Sequence, residues 1–513
     1  MNTDVMPAPV IDYMALLPMI IVAAAAILGV LVEAFVGRGA RRPIQLVLAF
    51  GALIGAFVAL VWQQATRGIE AMGALAIDGP GLLLMGLILL VSLGCALLIA
   101  ERQLDPAGDA FAPRASALPG SEEERQLTAR GYFQTEIWPL MLFAVLGMLL
   151  FVTATNLLVM FIALEIMSLP LYLMAGMSRR RRLLSQEAAL KYFILGAFSS
   201  AFFLFGIAML YGYSGSIEFS AIADSLTAQP GETAFIIAGV ALLSVGLLFK
   251  IGLVPFHQWV PDVYQGSPTP VTAFMAAVVK VAAFGALMRV MYVALGGIRW
   301  EWQPLLWVVA GITVIFASIV AIAQTDVKRM IAYSSIAQAG FVLIGVSSAT
   351  QDGLDAAIFY LLAYSFTTVG IFAVVSMVRD GSGEATRIDQ WTGLGRRSPV
   401  VASAFAIFML ALAGFPLTSG FVAKFLVFNS ALDIGNVWLV VVGALASVIA
   451  AFFYVRVIVV MFFRDPIEGG PGVAVPSAFT TLALAISVTV TVVLGILPGP
   501  ILGLIEQAGV FLR

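Results

Sequence analysis

Charge is scarce in this chain. Asp, Glu, Lys and Arg make up 11% of 513 residues, cysteine and histidine occur once each, and only five residues are lysine. Soluble domains carry about 25% charged residues, so this share, with 61% hydrophobic residues and a mean hydropathy of +1.04, predicts an integral membrane protein. The lone Cys95 excludes a disulfide framework and any cysteine-ligated zinc or iron–sulfur cluster, and reads as a small core residue. The lone His257 excludes a haem or metal site with histidine partners. There is no GxxxxGK[ST] phosphate loop and no GxGxxG dinucleotide fingerprint. A net charge of -2, spread over short loops, offers no face for nucleic acid.

What is abundant is apolar sequence in runs of about 20 residues, the length that crosses a bilayer. Fourteen spans are predicted, at 12–34, 43–63, 80–101, 137–154, 156–177, 187–212, 233–254, 269–294, 303–323, 329–348, 354–378, 400–430, 435–463 and 477–500. The fold class is therefore an all-α polytopic membrane protein. The first span has no basic region before it and ends at Glu33 and Arg38, as a retained helix does. GxxxG at Gly51 and Gly55 suits close helix packing. Odd-numbered loops hold eighteen Lys or Arg, among them Arg38, Arg102, Arg114, Arg179 to Arg182, Arg379 and Arg464, against Arg67 and Arg299 in even-numbered loops. By the positive-inside tendency both termini then face away from the cytoplasm. The Arg179 to Arg182 run reads as a topology anchor.

Internal repetition is weak but free of gaps. AALKYFILGAFSS at 188–200 and AAIFYLLAYSFTT at 356–368 align at an offset of 168, matching Tyr192 with Tyr360, Phe198 with Phe366 and Ser199 with Thr367. This pairs the sixth span with the eleventh, and a shift of five spans reverses orientation in the membrane. Two inverted five-helix repeats follow, spans four to eight and nine to thirteen. The domain division is 1–136, 137–300, 301–465 and 466–513. Each repeat has a proline-broken helix at its fourth position, at Pro255 in GLVPFHQW and Pro416 in AGFPLTSG. Proline frees backbone carbonyls that hydrocarbon does not tolerate unless protein or water satisfies them, so the two breaks mark polar cavities.

Four of the five lysines, Lys191, Lys250, Lys280 and Lys424, fall within apolar spans, and Lys328 falls in a loop. Lys250 and Lys424 sit near the two breaks, Lys280 near the middle of the eighth span, and Glu165 is the only carboxylate near the middle of any span. Charges in hydrocarbon are kept mainly where they handle ions, protons or a counter-charge. Arginine holds its proton, whereas a desolvated lysine can exchange one. Amines at mid-depth therefore suit a proton relay in which Glu165 resets Lys250. With no energy source visible, the chain reads as the transducing part of a larger machine or as a transporter driven by an ion gradient.

The runs KIGLVPFHQWVPDVYQGSPTPVTAFMAAVVK from Lys250 to Lys280, TDVKRMIAYSSIAQAG from Thr325 to Gly340 and GFPLTSGFVAKF from Gly414 to Phe425 closely resemble the antiporter-like membrane subunits of respiratory complex I. The resemblance covers at least spans four to thirteen. One member type carries a long C-terminal lateral helix, for which Leu497 onward leaves no room; another has glutamate where this chain has Lys424. The resemblance implies a relay of Glu165, Lys250, Lys280 and Lys424, supported by Lys191, His257, Pro255 and Pro416. It implies a proton-translocating part of a bacterial inner-membrane NADH-quinone oxidoreductase with no cofactor or metal of its own. FMN, iron–sulfur clusters and quinone would belong to partner subunits, and the partners would be further antiporter-like and small membrane subunits and lipid. A subunit of a Mrp-type sodium–proton antiporter and a non-transporting membrane scaffold remain alternatives.

Overall fold

The computed structural model describes residues 11–105, 108–113, 121–130, 132–228, 233–381, 383–467 and 469–513. Arg114, one of the loop cations above, lies outside them. The chain opens with α1 (Leu17–Phe35), α2 (Arg38–Trp62) and α3 (Gly79–Ala100), followed by a short α4 (Glu122–Ala129). Next come α5 (Ile137–Thr153), α6 (Leu157–Ala175), the long α7 (Arg182–Ser214), α8 (Phe219–Ala228), α9 (Thr233–Ile251), α10 (Trp259–Gly266) and α11 (Thr269–Arg289). The remainder is α12 (Arg299–Ile322), α13 (Val327–Ser347), α14 (Gln351–Met377), α15 (Leu394–Arg397), α16 (Pro399–Ala413), α17 (Ser419–Asp433), α18 (Val437–Phe463), α19 (Ala478–Ile496) and α20 (Gly499–Ala508). Among the described residues, twelve helices are long and apolar enough to cross a membrane by length and composition, and α5 and α16 are apolar but shorter.

Small antiparallel sheets dress the loops. β1 (Gly68–Glu70) pairs with β2 (Leu75–Ile77), and β3 (Val378–Asp380) lies between β4 (Gly383–Glu384) and β5 (Gly472–Val473). The sequence pattern predicts none of these strands, nor α4, α8 and α20, because two or three residues of strand leave no periodic signal.

The proline breaks fall where sequence places them. α9 ends at Ile251 and α10 resumes at Trp259, with Pro255 between them; α16 ends at Ala413 and α17 starts at Ser419, with Pro416 between them. Each break opens on a glycine in the left-handed region, Gly252 and Gly414, both at φ +84°, a conformation that costs an L side chain about 1–2 kcal/mol. Three helices form the centre: within their apolar windows α11 is 100% buried and α13 and α14 are each 94% buried, against 33% for α1 and 28% for α19. A side chain in the middle of α11 or α13 is therefore shut off from whatever surrounds the protein. Polar groups placed there must find partners inside the bundle.

Candidate functional site

Lys250 stands in the last turn of α9 and is 3% exposed. Its ammonium donates to Ser168 Oγ of α6 at 2.7 Å and to Tyr192 OH of α7 at 3.2 Å, and it lies 5.1 Å from the Tyr192 ring centre. The helix C-terminus offers it partial negative charge. The Ser168 proton is committed to the Leu164 carbonyl of its own helix, leaving the oxygen lone pairs for the amine. Glu165, one turn before Ser168, accepts from Ser200 Oγ of α7 at 2.5 Å. Its charge acts on both Lys250 and Tyr172. The expected Glu165–Lys250 couple is thus brought into one neighbourhood but not into an ion pair. Glu165 is half-buried, and Ile162 and Leu169 beside it on α6 are exposed, so the carboxylate stands near the outer surface of the bundle.

Lys280 and Lys424, 3% and 5% exposed, are joined by polar groups along α13. The Lys280 ammonium donates to the Ser335 backbone carbonyl, while Ser335 Oγ shares a 2.7 Å hydrogen bond with Tyr364 OH of α14. On the neighbouring residue, Ser334 Oγ bonds Tyr454 OH of α18. Tyr454 OH accepts from Gln338 Nε2 at 3.0 Å, and the same amide donates to the Leu412 carbonyl at 2.9 Å. Tyr360 OH donates to the other side of that amide. Lys424 Nζ then donates to the Leu412 and Ala413 carbonyls at 3.1 and 3.0 Å. Those carbonyls end α16, and the break after Ala413 is what frees them. Sequence reasoning missed Ser334, Ser335, Gln338, Tyr360, Tyr364 and Tyr454. The one available signal was the placing of Ser334, Ser335 and Gln338 within about one helical turn of an otherwise apolar helix.

Lys424 is held from the glycine side as well. A Cβ on Gly414 would lie 2.9 Å from Lys424 Cδ. Gly414→Ala is expected to lower the melting temperature by an amount equivalent to about 1–2 kcal/mol. It should also depress proton translocation by displacing the amine; differential scanning of the assembled complex and a proton-uptake assay check the two effects together.

Between the Lys250 and Lys280 groups stands an aromatic plate. Trp259 is stacked on Tyr192 at 4.6 Å between centroids and meets Tyr264 edge-on at 6.3 Å, with its indole N–H given to the Phe249 carbonyl. Tyr264 is fully buried, and among the described residues its hydroxyl has no well-formed hydrogen bond, with Ser335 and Tyr364 as its polar neighbours. His257, in the first break, packs edge-on against Phe316 at 5.0 Å, and its Nδ1 has no hydrogen-bond partner among the described residues. None of the hydrogen bonds of the described residues connects it to the amines.

Two lysines differ from expectation. Lys191 is no buried relay group: its side chain is 42% exposed, held 2.7 Å from both Glu187 and Asp262. Glu187, one turn earlier on α7, and Asp262 of α10 draw its amine into an exposed charged cluster. Lys328 belongs to α13 rather than a loop, is 4% exposed and pairs with Glu384 at 3.1 Å. Burial alone would raise the Glu384 carboxyl, but Lys328, the Thr269 hydroxyl at 2.6 Å and Arg379 together hold it below the usual glutamate range. A carboxylate held low contributes stability above its unfolded pKa and loses it as pH falls through the folded value. Acidification through roughly pH 4 should therefore destabilise the native protein more than Glu384→Gln, as read from melting temperature against pH.

The pair Lys328–Glu384 lies among Asp105, Arg180 and Arg379, where Asp105 accepts from both arginines. These residues come from the third, fifth, ninth and eleventh predicted loops, which the structure gathers at one end. At another site Arg289 and Asp78, both 0% exposed, form a two-bonded ion pair at 2.7 and 2.8 Å. Arg289 also donates to the Val152 carbonyl, and Asp78 accepts the backbone N–H of Gly81 and Leu512. Asp78 lies just before the third predicted span and Arg289 inside the eighth, and nothing local in the sequence pairs them.

The family model described as NADH:quinone oxidoreductase/Mrp antiporter, TM, matches residues 154–450. NADH-quinone oxidoreductase subunit N of Rhodococcus opacus (strain B4) is 56% identical, over 99% of this chain and 97% of that protein. Among solved structures, a chain of respiratory complex I from Thermus thermophilus with bound aureothin is 32% identical with a TM-score of 0.77, covering 95% of this chain and 98% of that one. A chain of the Mrp complex from Dietzia sp. DQ12-45-1b has a TM-score of 0.80 at 22% identity, covering 97% of each; that likeness is one of fold.

Proposed function

Given that the chain belongs to the subunit N family of NADH-quinone oxidoreductase, we propose that it translocates protons through the Glu165, Lys250, Lys280 and Lys424 groups. NADH oxidation and quinone reduction proceed in other subunits of the complex, which hold the FMN, iron–sulfur clusters and quinone. The observation that carries this reading is a row of polar groups on α13: Lys280 rests on the Ser335 carbonyl, and from the adjacent Ser334 hydrogen bonds run through Tyr454 and Gln338 to the Leu412 carbonyl, to which Lys424 also donates. A scaffold needs its buried polar atoms satisfied. It does not need three amines, each able to exchange a proton, aligned through hydroxyls across two broken helices.

In this mechanism a neighbouring membrane subunit acts on half-buried Glu165 and alters the field on Lys250. Lys250 passes its proton by Tyr192 towards Tyr264, whose uncommitted hydroxyl can turn to Ser335 and Tyr364. Lys280 receives it, and the α13 polar groups lead on to Lys424. Pro416 marks the break whose freed carbonyls hold Lys424, and Pro255 marks the break just past Lys250. Lys191, with Asp262 and Arg329, pins α7 to α10 and α13 and acts by position; His257 packs the first break. The two units, 137–300 and 301–465, are read as inverted repeats flanked by 1–136 and 466–513. The bacterial inner membrane is the expected location, with both termini on the non-cytoplasmic side and release of protons there.

Tyr264→Phe tests the weakest joint of this path, since it removes only the oxygen. Coupled turnover is expected to fall by up to about a hundredfold, the low end for a positioned acid–base group, with a larger solvent deuterium effect and normal assembly. Unchanged turnover and isotope effect would remove Tyr264 from the path. Sodium exchange has no observation in its favour beyond the shared fold, and turnover without sodium distinguishes it.

A further inference from the structure

A cleft of about 950 Å³ opens between the α1–α2 turn and the segment after α4, with five arginines, Arg38, Arg41, Arg42, Arg102 and Arg130, in its lining. The carboxylates facing it are Glu33 and Glu136. Glu33 is already engaged, by Arg41 at 3.2 Å and by the Gln45 amide at 2.8 Å. Arg42 donates to the Ala100 carbonyl, and Asp109, whose charge acts on Arg42, is bonded to Arg179. Arg38, Arg102 and Arg130 have no carboxylate within salt-bridge distance among the described residues. Arg38 lies instead over the Tyr132 ring at 4.3 Å and Arg102 over the Phe133 ring at 3.4 Å, which holds two guanidinium planes in place without neutralising them.

The surface beside this cleft is apolar and open. Leu28, Leu31 and Phe35 of α1 and Val47 of α2 are 49%, 45%, 83% and 72% exposed. Both helices are long and apolar enough to cross a membrane, and their junction, at residues 35–38, puts the arginines at the depth of lipid headgroups. Unpaired guanidiniums bind phosphate oxygens in bidentate geometry, and basic pockets at this depth take anionic headgroups.

We propose that this cleft binds the phosphodiester headgroup of an anionic membrane lipid, whose acyl chains lie along the exposed apolar face of α1 and α2. Arg38 and Arg102 grip the phosphate, and Arg130 closes from the opposite wall. The lipid fastens the first three helices in the leaflet and takes no part in proton transfer.

The test uses the assembled complex stripped of lipid in neutral detergent, titrated separately with dioleoylphosphatidylglycerol, dioleoylphosphatidylcholine and inorganic phosphate. Native mass spectrometry counts bound lipid, and melting temperature reports stabilisation. Phosphatidylglycerol is expected to bind and stabilise, phosphatidylcholine to do so far less, and phosphate to have no effect at the same concentration. Arg38→Gln with Arg102→Gln should weaken phosphatidylglycerol binding by about thirtyfold, from two surface cations, with proton-to-electron ratio unchanged. Equal binding by the two lipids, an effect of phosphate alone, or the same affinity in the double variant would overturn the assignment. If the double variant fails to assemble, the unaltered complex decides. Phosphatidylglycerol with a photoreactive headgroup should label peptides within 33–43, 100–104 or 130–136, and labelling only elsewhere contradicts the proposal.

Discussion

Replacing Lys280 with alanine is expected to slow coupled NADH-to-quinone turnover by roughly a hundredfold, if the proton step it removes becomes limiting, while the complex still assembles. The side chain sits in a helix whose apolar window is wholly buried, and its ammonium rests on the Ser335 carbonyl, so no neighbour can take its place. Alanine leaves that carbonyl with its helical hydrogen bond and creates no stranded charge, which is why folding should survive. The measurement is turnover of membranes alongside the amount of assembled complex on a native gel. Turnover near wild type with full assembly would show that the amine is packing. A scaffold role makes the opposite prediction, loss of assembly with normal turnover in whatever complex remains.

The largest effect on stability is expected at Arg289. Arg289→Ala strands Asp78 in a site with no exposure, and breaking one partner of a buried pair costs about 3–5 kcal/mol. Asp78 would keep the N–H bonds of Gly81 and Leu512, too little for a full charge. Assembled complex containing this subunit should become scarce on native gels. Arg289→Met combined with Asp78→Leu removes both charges and should assemble far better, losing mainly the cap on α3, worth about 1 kcal/mol. If the double variant were as defective as the single one, the stranded carboxylate would not be the cause.

The parts of the fold legible in sequence are those written in local composition. Apolar runs set the long helices, and Pro255 and Pro416, each after a glycine that can take positive φ, set the breaks. Lys280 and Lys424 are conspicuous because a charge in an apolar run is costly and is kept mainly where it handles an ion or a proton. Lys191 misleads because Asp262, far along the chain, joins Glu187 in bringing it to an exposed charged cluster. Lys328 misleads in the other direction: its partner Glu384 comes from a hairpin far along the chain. Asp78 and Arg289 are 211 residues apart, and nothing local marks either as half of a pair. The hydroxyl groups escape notice because serine and tyrosine are uncharged and common in membrane helices. Only packing α13 against α14, α16 and α18 turns Ser334, Ser335 and Gln338 into a line between two amines.

In the proposed mechanism Lys280 acts by exchanging a proton and not merely by being positive. Arginine separates the two, since it keeps the charge and does not release its proton. The decisive measurement is the proton-to-electron ratio of assembled Lys280→Arg complex in sealed vesicles during NADH oxidation. A ratio clearly below that of the unaltered complex is the predicted result; an unchanged ratio would contradict the relay.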